Sequence, residues 1–421
     1  MNVINLLKSD YSKRFIYSTL DQFLLSFTNF VLSYLLMRLL TKSDYGIYNI
    51  VIPVSLIFTA IQNALINTPL MVEYWDREED KRRSFVSSLL QIQKKFISFF
   101  FIALLFFFLI YYILTSNIKI LFFYFSIFLL VMGLLSREFV RNYYFTIEKP
   151  LFTLINDFYY FILITILIIT IYQIDLMKVE FVLLSVGLAS FFSSIFKNKS
   201  LLTDVNYIDA TKDFFDCYKH GKWALLGVIV THIQSYGYLY LIGIFFSTKD
   251  IGDISAIRLI FAPFAFITVG YSKIAIPRGI KLYIQNRSKR FFIEEISFSI
   301  FYSLIILFFS LIIYFAPKDF IMIFLKNEYR NALEYLPYLS ISTILSVFGA
   351  TGSNGLQALK KFKSLSKINS VAMVVSFILT ISLIYFYGIK GALTSNILAQ
   401  LVNTTGMWFL FYKLKNQSIV V

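Results

Sequence analysis

The sequence predicts an all-α integral membrane protein of about twelve transmembrane helices in two six-helix bundles. Three observations predict it: too few charges for water, a succession of apolar runs of span length, and a turn-and-proline pattern that occurs twice. The 421 residues are 58% apolar, 19% aromatic and 15% charged. A soluble domain carries about 25% charged residues, so this chain belongs in lipid.

A span needs about 20 mostly apolar residues. The runs of that kind are 15–39, 46–72, 96–114, 120–140, 151–173, 179–196, 222–246, 252–275, 296–315, 333–357, 367–387 and 391–412. Inside lipid every backbone N–H and C=O needs an internal partner, so each run is a helix, and Gly, Pro or β-branched residues do not argue against it. The polar stretch Met1 to Arg14 leads into a full first span, unlike a cleaved signal. Cys217 is the single cysteine, which excludes an internal disulfide and reads as an inert thiol.

Between the first two spans lies the polar turn Thr41-Lys-Ser-Asp-Tyr-Gly-Ile-Tyr48, and Ser247-Thr-Lys-Asp-Ile-Gly-Asp-Ile254 repeats it. Asp44 falls on Asp250 and Gly46 on Gly252. Pro53 and Pro69 in the next run fall close to Pro263 and Pro277. A basic cluster then follows each, Lys81, Arg82 and Arg83 in one copy and Arg287, Lys289 and Arg290 in the other. The order of turn, kink, kink and cluster predicts an internal repeat, the doubled construction common among transporters. The expected domains are a bundle over 1–200, a cytoplasmic linker over 201–221 and a second bundle over 222–421. Six spans per half make both halves enter from the same side, with a pseudo-axis along the membrane normal and a central cavity between the bundles.

Orientation follows from Lys and Arg in the loops. With the N-terminus inside, most of the 39 basic residues fall on the cytoplasmic side. Only Arg38, Lys42, Lys119, Lys178, Lys249, Lys318, Lys326, Arg330 and Lys390 fall on the other, and Arg258 lies within a span. Both termini are therefore expected in the cytoplasm. The same bias accounts for most of the +15 net charge, which favours contact with anionic membrane lipids over nucleic acid.

Polar side chains within spans face a cavity or another helix. Ser18, Gln22, Ser26, Asn29 and Ser33 lie on one face of the first span, and Ser55, Thr59, Gln62 or Asn63, and Asn67 do so in the second. Both cavity lining and interhelical hydrogen bonding fit these stripes, as they fit Asn396, Gln400 and Asn403. Arg258 stands early in the eighth span, where arginine is costly unless solvated or paired. It either snorkels to the interface or faces a cavity, where its planar fork suits a phosphate. His232 is either a hydrogen-bonded neutral ring or a headgroup or proton site. Asp21 pairs with Lys13 or Arg14, or is a candidate coupling carboxylate together with Asp157. The pairs Asp157 with Asn156, and Arg141 with Glu148, are also open as ordinary interfacial contacts.

The turn Leu40, Thr41, Asp44, Tyr45, Gly46 and Tyr48, between two long apolar helices, resembles the Leu-Thr/Ser-x-x-Asp/Glu-Tyr-Gly-x-Tyr start of bacterial polysaccharide flippases. These are the Wzx-type O-antigen flippases of the multidrug/oligosaccharidyl-lipid/polysaccharide (MOP) export superfamily. The resemblance implies a V-shaped, MATE-like fold in the bacterial cytoplasmic (inner) membrane. It implies a cationic cavity for a pyrophosphate headgroup and a substrate of undecaprenyl-diphosphate-linked oligosaccharide. Polysaccharide polymerase and chain-length machinery are the implied partners. Arg258, His232, Gln22, Asn29, Asn63 and Asn67 are then the candidate substrate residues, with Asp21 and Asp157 for coupling to an H+ or Na+ gradient or the membrane potential. The chain departs from the lipid II flippase pattern: its first span carries Asp21 and no mid-span arginine, and two extra helices are missing.

No enzyme signature is present. The chain lacks a P-loop, a His-Glu-x-x-His motif and any cysteine pair, and has two histidines, so neither a cofactor nor a metal is expected. The alternative on the same fold is a MATE-like drug/cation antiporter, which needs buried carboxylates. A major-facilitator transporter would carry a Gly-x-x-x-Asp-x-x-Gly-Arg-Arg loop where this chain reads Trp75 to Arg83 without glycine. A polysaccharide polymerase would need a long outer loop, and the longest here is about 316–332.

Overall fold

In the computed structural model, residues 10–115, 120–196 and 210–414 are described. Their regular structure is helical: α1 (Asp10–Leu39), α2 (Lys42–Gln62), a π-turn (Asn63–Asn67), α3 (Thr68–Glu73), α4 (Glu79–Thr115), α5 (Ile120–Thr146), α6 (Pro150–Gln173) and α7 (Val179–Ile195). Then come α8 (Ala210–Phe245), α9 (Thr248–Ile284), α10 (Ser288–Phe315), α11 (Lys318–Phe324), a 3-10 turn (Asn327–Tyr335), α12 (Leu336–Ala358) and α13 (Phe362–Leu414). Among the described residues, ten helical segments are long and apolar enough to cross a membrane. The protein is a multi-pass membrane protein. The two further expected spans are also helical: α7 is a shorter apolar helix, and α13 joins the last two runs across a break at Gly388, whose φ is +57°.

Prolines shape the second span. Pro53 sits inside α2, and Pro69 opens α3. A proline has no N–H for the carbonyl one turn back. The chain meets Pro69 through the π-turn, in which the Thr68 N–H and Oγ1 both donate to the Asn63 carbonyl. In the second copy Pro263 and Pro277 lie inside the continuous α9.

By internal contacts the chain divides into two compact units. One holds the described residues up to Leu32 with Val51–Val228, the other Ser33–Ile50 with Ile229–Val421. The turn between α1 and α2 thus packs with the second unit. α8 begins at Ala210, within the stretch expected as linker, while 197–209 lie outside the described residues, as does the side chain of Cys217.

The first unit has a core of Ile66, Leu70, Phe85, Leu89 and Phe139. In the same unit α5 crosses α7 with Gly133 against Gly187: a Cβ built at Gly133 would lie 2.1 Å from the Gly187 carbonyl oxygen. Small residues let membrane helices approach this closely. Gly133→Val is expected to cost about 1–3 kcal/mol through overpacking, read as a lowered unfolding temperature of the purified protein. Gly270→Val, where a Cβ meets nothing within 4 Å, is the control and should cost much less. The second unit has its core at Leu282, Phe291, Leu356, Met407 and Phe411.

Candidate functional site

In the second unit, α8 and α9 place a basic and aromatic group together. His232, Tyr236 and Tyr240 recur every four residues, so they share one face of α8. The His232 Nε2 lies 2.7 Å from the Tyr240 hydroxyl. Its ring centroid is 5.0 Å from that of Tyr236. On the other side Tyr236 faces Arg258 of α9, whose guanidinium carbon is 5.7 Å from the ring centroid, within reach of a cation–π contact. Tyr238 and Tyr45 are the other groups that act on Arg258 electrostatically. Among the described residues no carboxylate pairs with Arg258. The structure thus joins Arg258 and His232 through Tyr236, a residue the sequence reading did not single out. Its signal was the four-residue spacing from His232.

A partly buried guanidinium beside a tyrosine ring is a cation with no carboxylate partner among the described residues. Its fork can take two oxygens of one anion, and phenol hydroxyls can donate to the same anion while the rings exclude water. The arrangement suits a phosphate and opposes an organic cation.

In the first unit the coupling candidates are not free. Arg137 and Arg141 stand one turn apart on α5 and grip Asp157 of α6: Arg137 Nε lies 3.1 Å from Oδ1, and Arg141 Nε 3.1 Å from Oδ2. Arg141 also reaches Asp21 of α1 at 3.0 Å and Glu138 at 3.5 Å. The Arg137 guanidinium stacks on Tyr160, 3.7 Å from the ring centroid. Asp157 and Asp21 are each 1% exposed. Two arginines face three acids, and Asp21 Oδ1 has no hydrogen-bond partner among the described residues. Two of the expected pairings differ, Arg14 with Asp21 and Arg141 with Glu148. Arg14 binds Glu148, which leaves Asp21 to Arg141. Pairing over such sequence distances is set by helix packing and has no local signal.

Gln22, Asn29, Asn63 and Asn67 belong to the first unit, and Arg258 and His232 to the second. Gln22 bonds Ser26 at 3.4 Å, and Asn29 is exposed. Asn63 and Asn67 bond each other at 2.5 Å across the π-turn. At least these three amides make bonds within their own helix.

Glu295 of α10 was missed. It is 0% exposed, with Tyr271 Oη donating to Oε1 at 3.0 Å and Asn354 Nδ2 to Oε2 at 3.2 Å. Its neighbour Glu294 points elsewhere, to Arg278 and Arg290. Successive helical residues diverge by about 100°, so two adjacent acids at the head of a span can point to different partners. That pairing was the available signal.

No protein-family model matches the chain, and no curated protein sequence matches it. Solved structures do. The chain is similar to lipid II flippase MurJ in its inward closed conformation, at 15% identity and TM-score 0.66, covering 97% of this chain and 90% of that one. It is similar to an inward-facing multidrug-resistance MATE transporter of the MOP superfamily, at 12% identity and TM-score 0.68, over 94% and 96%. It is also similar to a MOP superfamily transporter from Pyrococcus furiosus described by a reversed polarity of its binding pocket, at 12% identity and TM-score 0.59, over 99% of each chain. The fold is therefore the MOP/MATE-like fold.

Proposed function

We propose that this chain is a flippase that moves a polyprenyl-diphosphate-linked oligosaccharide from the cytoplasmic to the outer leaflet by alternating access. The membrane is the bacterial cytoplasmic membrane, with both chain termini inside. The observation that carries the reading is Arg258: a cation within a span, near the Tyr236 ring and with no carboxylate partner among the described residues. A diphosphate and its glycan cannot enter hydrocarbon unaided, because unpaired charges and hydroxyls there are costly. Arg258 takes the diphosphate, and His232 supports it through Tyr236. The prenyl tail stays in lipid. The glycan is a repeat unit of O-antigen, capsule or exopolysaccharide, handed to a polymerase and chain-length machinery. The resemblance of the fold to a lipid II flippase supports the substrate class.

Coupling is assigned to the Asp21–Arg141–Asp157 cluster, driven by a proton or sodium gradient or the membrane potential. Asp21 Oδ1 is the oxygen that can take up a cation without breaking the bridge from Oδ2 to Arg141.

A second reading, drug/cation antiport, draws on Glu295, a buried acid held by neutral donors. Ligand-dependent stability separates the two. A short-chain prenyl diphosphate at a hundred times its Kd should stabilise the purified protein by about 2.7 kcal/mol, and the monophosphate less. Stabilisation by lipophilic organic cations, with none by the diphosphate, would support antiport instead.

A further inference from the structure

The two copies of the repeat share turn geometry at the ends of their spans but not charge. α5 and α12 close in the same way, at close to the spacing of the repeated prolines. Glu148 and Lys360 each take a left-handed conformation, with φ of +57° and +56°. The next amide then donates to a carbonyl five residues back, Lys149 N–H to Tyr144 and Lys361 N–H to Leu356, both at 2.9 Å. This is one helix-ending motif used twice. The first copy places an acid in it and the second a base. Glu148 is bridged to Arg14. Lys360 is exposed, and no acid pairs with it among the described residues.

The turn that opens α4 and its counterpart that opens α10 diverge in the same sense. The first carries Asp76, Glu78, Glu79 and Asp80, and the second Gln285, Arg287, Ser288 and Lys289. In the first unit these acids take up bases, as Glu78 does Lys81. In the second unit no acid occurs from Lys273 to Phe315, or from Leu336 to Leu414, except Glu294 and Glu295. Glu295 is buried against Tyr271 and Asn354. Glu294 serves Arg278 and Arg290.

The two basic turns of the second unit lie side by side. Leu282 and Tyr283 before one, and Leu356 and Leu359 before the other, belong to a single buried cluster. A Cβ at Gly279 would come within 2.9 Å of the Ala358 Cβ. Around that cluster Lys281, Arg287, Lys289, Lys360, Lys361 and Lys363 are exposed. Apolar side chains are set among them: Ile284 is 61% exposed and Phe362 58%. Cations interleaved with exposed apolar groups at the end of a span suit a phospholipid, whose phosphate meets the cations while its first methylenes cover the apolar groups. A free anion would leave Ile284 and Phe362 in water.

We propose that the second unit, and not the first, binds anionic phospholipid on this basic face. In the orientation read from the loops, the lipid is that of the cytoplasmic leaflet. The site is built from the turns of one unit and needs no transported substrate, so it stands apart from the flippase reading.

The test uses the full chain in phosphatidylcholine vesicles, in two single-tryptophan forms. Trp75→Phe with Trp223→Phe leaves Trp408, which packs on Phe292 and Phe411 of the same cluster. Trp408→Phe with Trp223→Phe leaves Trp75 in the first unit. A small fraction of the lipid is brominated, as phosphatidylglycerol in one series and phosphatidylcholine in the other. Quenching of Trp408 is expected to show the anionic lipid enriched about fivefold or more, the contribution of a single cation near an anionic surface. Both lipids should quench Trp75 alike. High salt should narrow the difference at Trp408.

Lys360→Asn, Lys361→Gln and Lys363→Gln together should bring Trp408 close to parity without lowering the unfolding temperature in detergent. Asparagine suits the left-handed position, and the other two side chains are exposed. Lys81→Gln, Lys94→Gln and Lys149→Gln remove the same charge from the first unit and should leave the enrichment intact. Equal quenching of Trp408 by the two lipids would overturn the proposal, and cross-linking of the patch to an acidic protein in its place would assign the face to that partner. Equal enrichment at Trp75 would overturn the restriction to the second unit. Enrichment that survives the three substitutions at Lys360, Lys361 and Lys363 would overturn the assignment to these turns.

Discussion

Arg258→Ala is expected to abolish export of the lipid-linked oligosaccharide while leaving the protein as stable as before, or more so. The two halves of that result have one cause. Charge-assisted hydrogen bonds are worth about 1.5–3 kcal/mol each, so losing a bidentate pair weakens diphosphate binding by about a hundredfold or more. Arg258 has no acid partner among the described residues, so its removal strands no charge and relieves the cost of holding a guanidinium within a span. Arg258→Lys keeps the charge but loses the planar fork and should fall between. The measurements are surface polysaccharide in the host and unfolding temperature of the purified variants. Normal export with lowered stability would make Arg258 a structural residue anchored on Tyr236.

Asp157→Ala is expected to do the opposite: to damage the fold first. It removes the acid that both Arg137 and Arg141 grip. Breaking one partner of a buried ion pair costs about 3–5 kcal/mol, because the charge left behind is uncompensated. Among the described residues the stranded Arg137 then keeps its stack on Tyr160. Yield and unfolding temperature should drop sharply. Adding Arg137→Met should recover part of the loss, and a double-mutant cycle measures the coupling. Asp21→Asn should cost less, since Arg141 retains Asp157 and Glu138. A stable Asp157→Ala protein that binds diphosphate but does not transport would instead place Asp157 in the coupling step.

The spans were legible because lipid demands an apolar run of fixed length, and that demand leaves a mark no packing can erase. Their ends were less so. The apolar run starting at 96 is only part of α4, which begins at Glu79. Likewise α9 continues past the run to Ile284. Hydrogen bonding continues a helix beyond the hydrocarbon, where charged residues are free to occur, so apolarity marks the lipid and not the helix. The duplicated turns were legible as a repeat, but similarity between two segments carries no information about whether they touch. The contact between Ser43 and Thr248, whose hydroxyls lie 2.7 Å apart, had to come from the structure.

Among the candidate residues, Arg258 was legible because an arginine in an apolar run is conspicuous alone. Its tyrosine surroundings were not, since tyrosine is common in this chain and its position around a helix decides its role. The arginine clamp on Asp157 was missed for a related reason. Arg137 and Arg141 lie where the fourth apolar run gives way to charge and read as topology markers, although Arg137 is only 7% exposed.

The measurement that tests flipping most directly is leaflet-resolved. The gene is deleted in its host, the lipid-linked oligosaccharide is labelled by a membrane-impermeant reagent from outside, and the gene is restored. The expected result is accumulation at the cytoplasmic face on deletion, with return to the outer face when the wild-type gene is restored and not when Arg258→Ala replaces it. No accumulation, with normal surface polysaccharide, would contradict the flippase reading and leave cation efflux as the activity to measure.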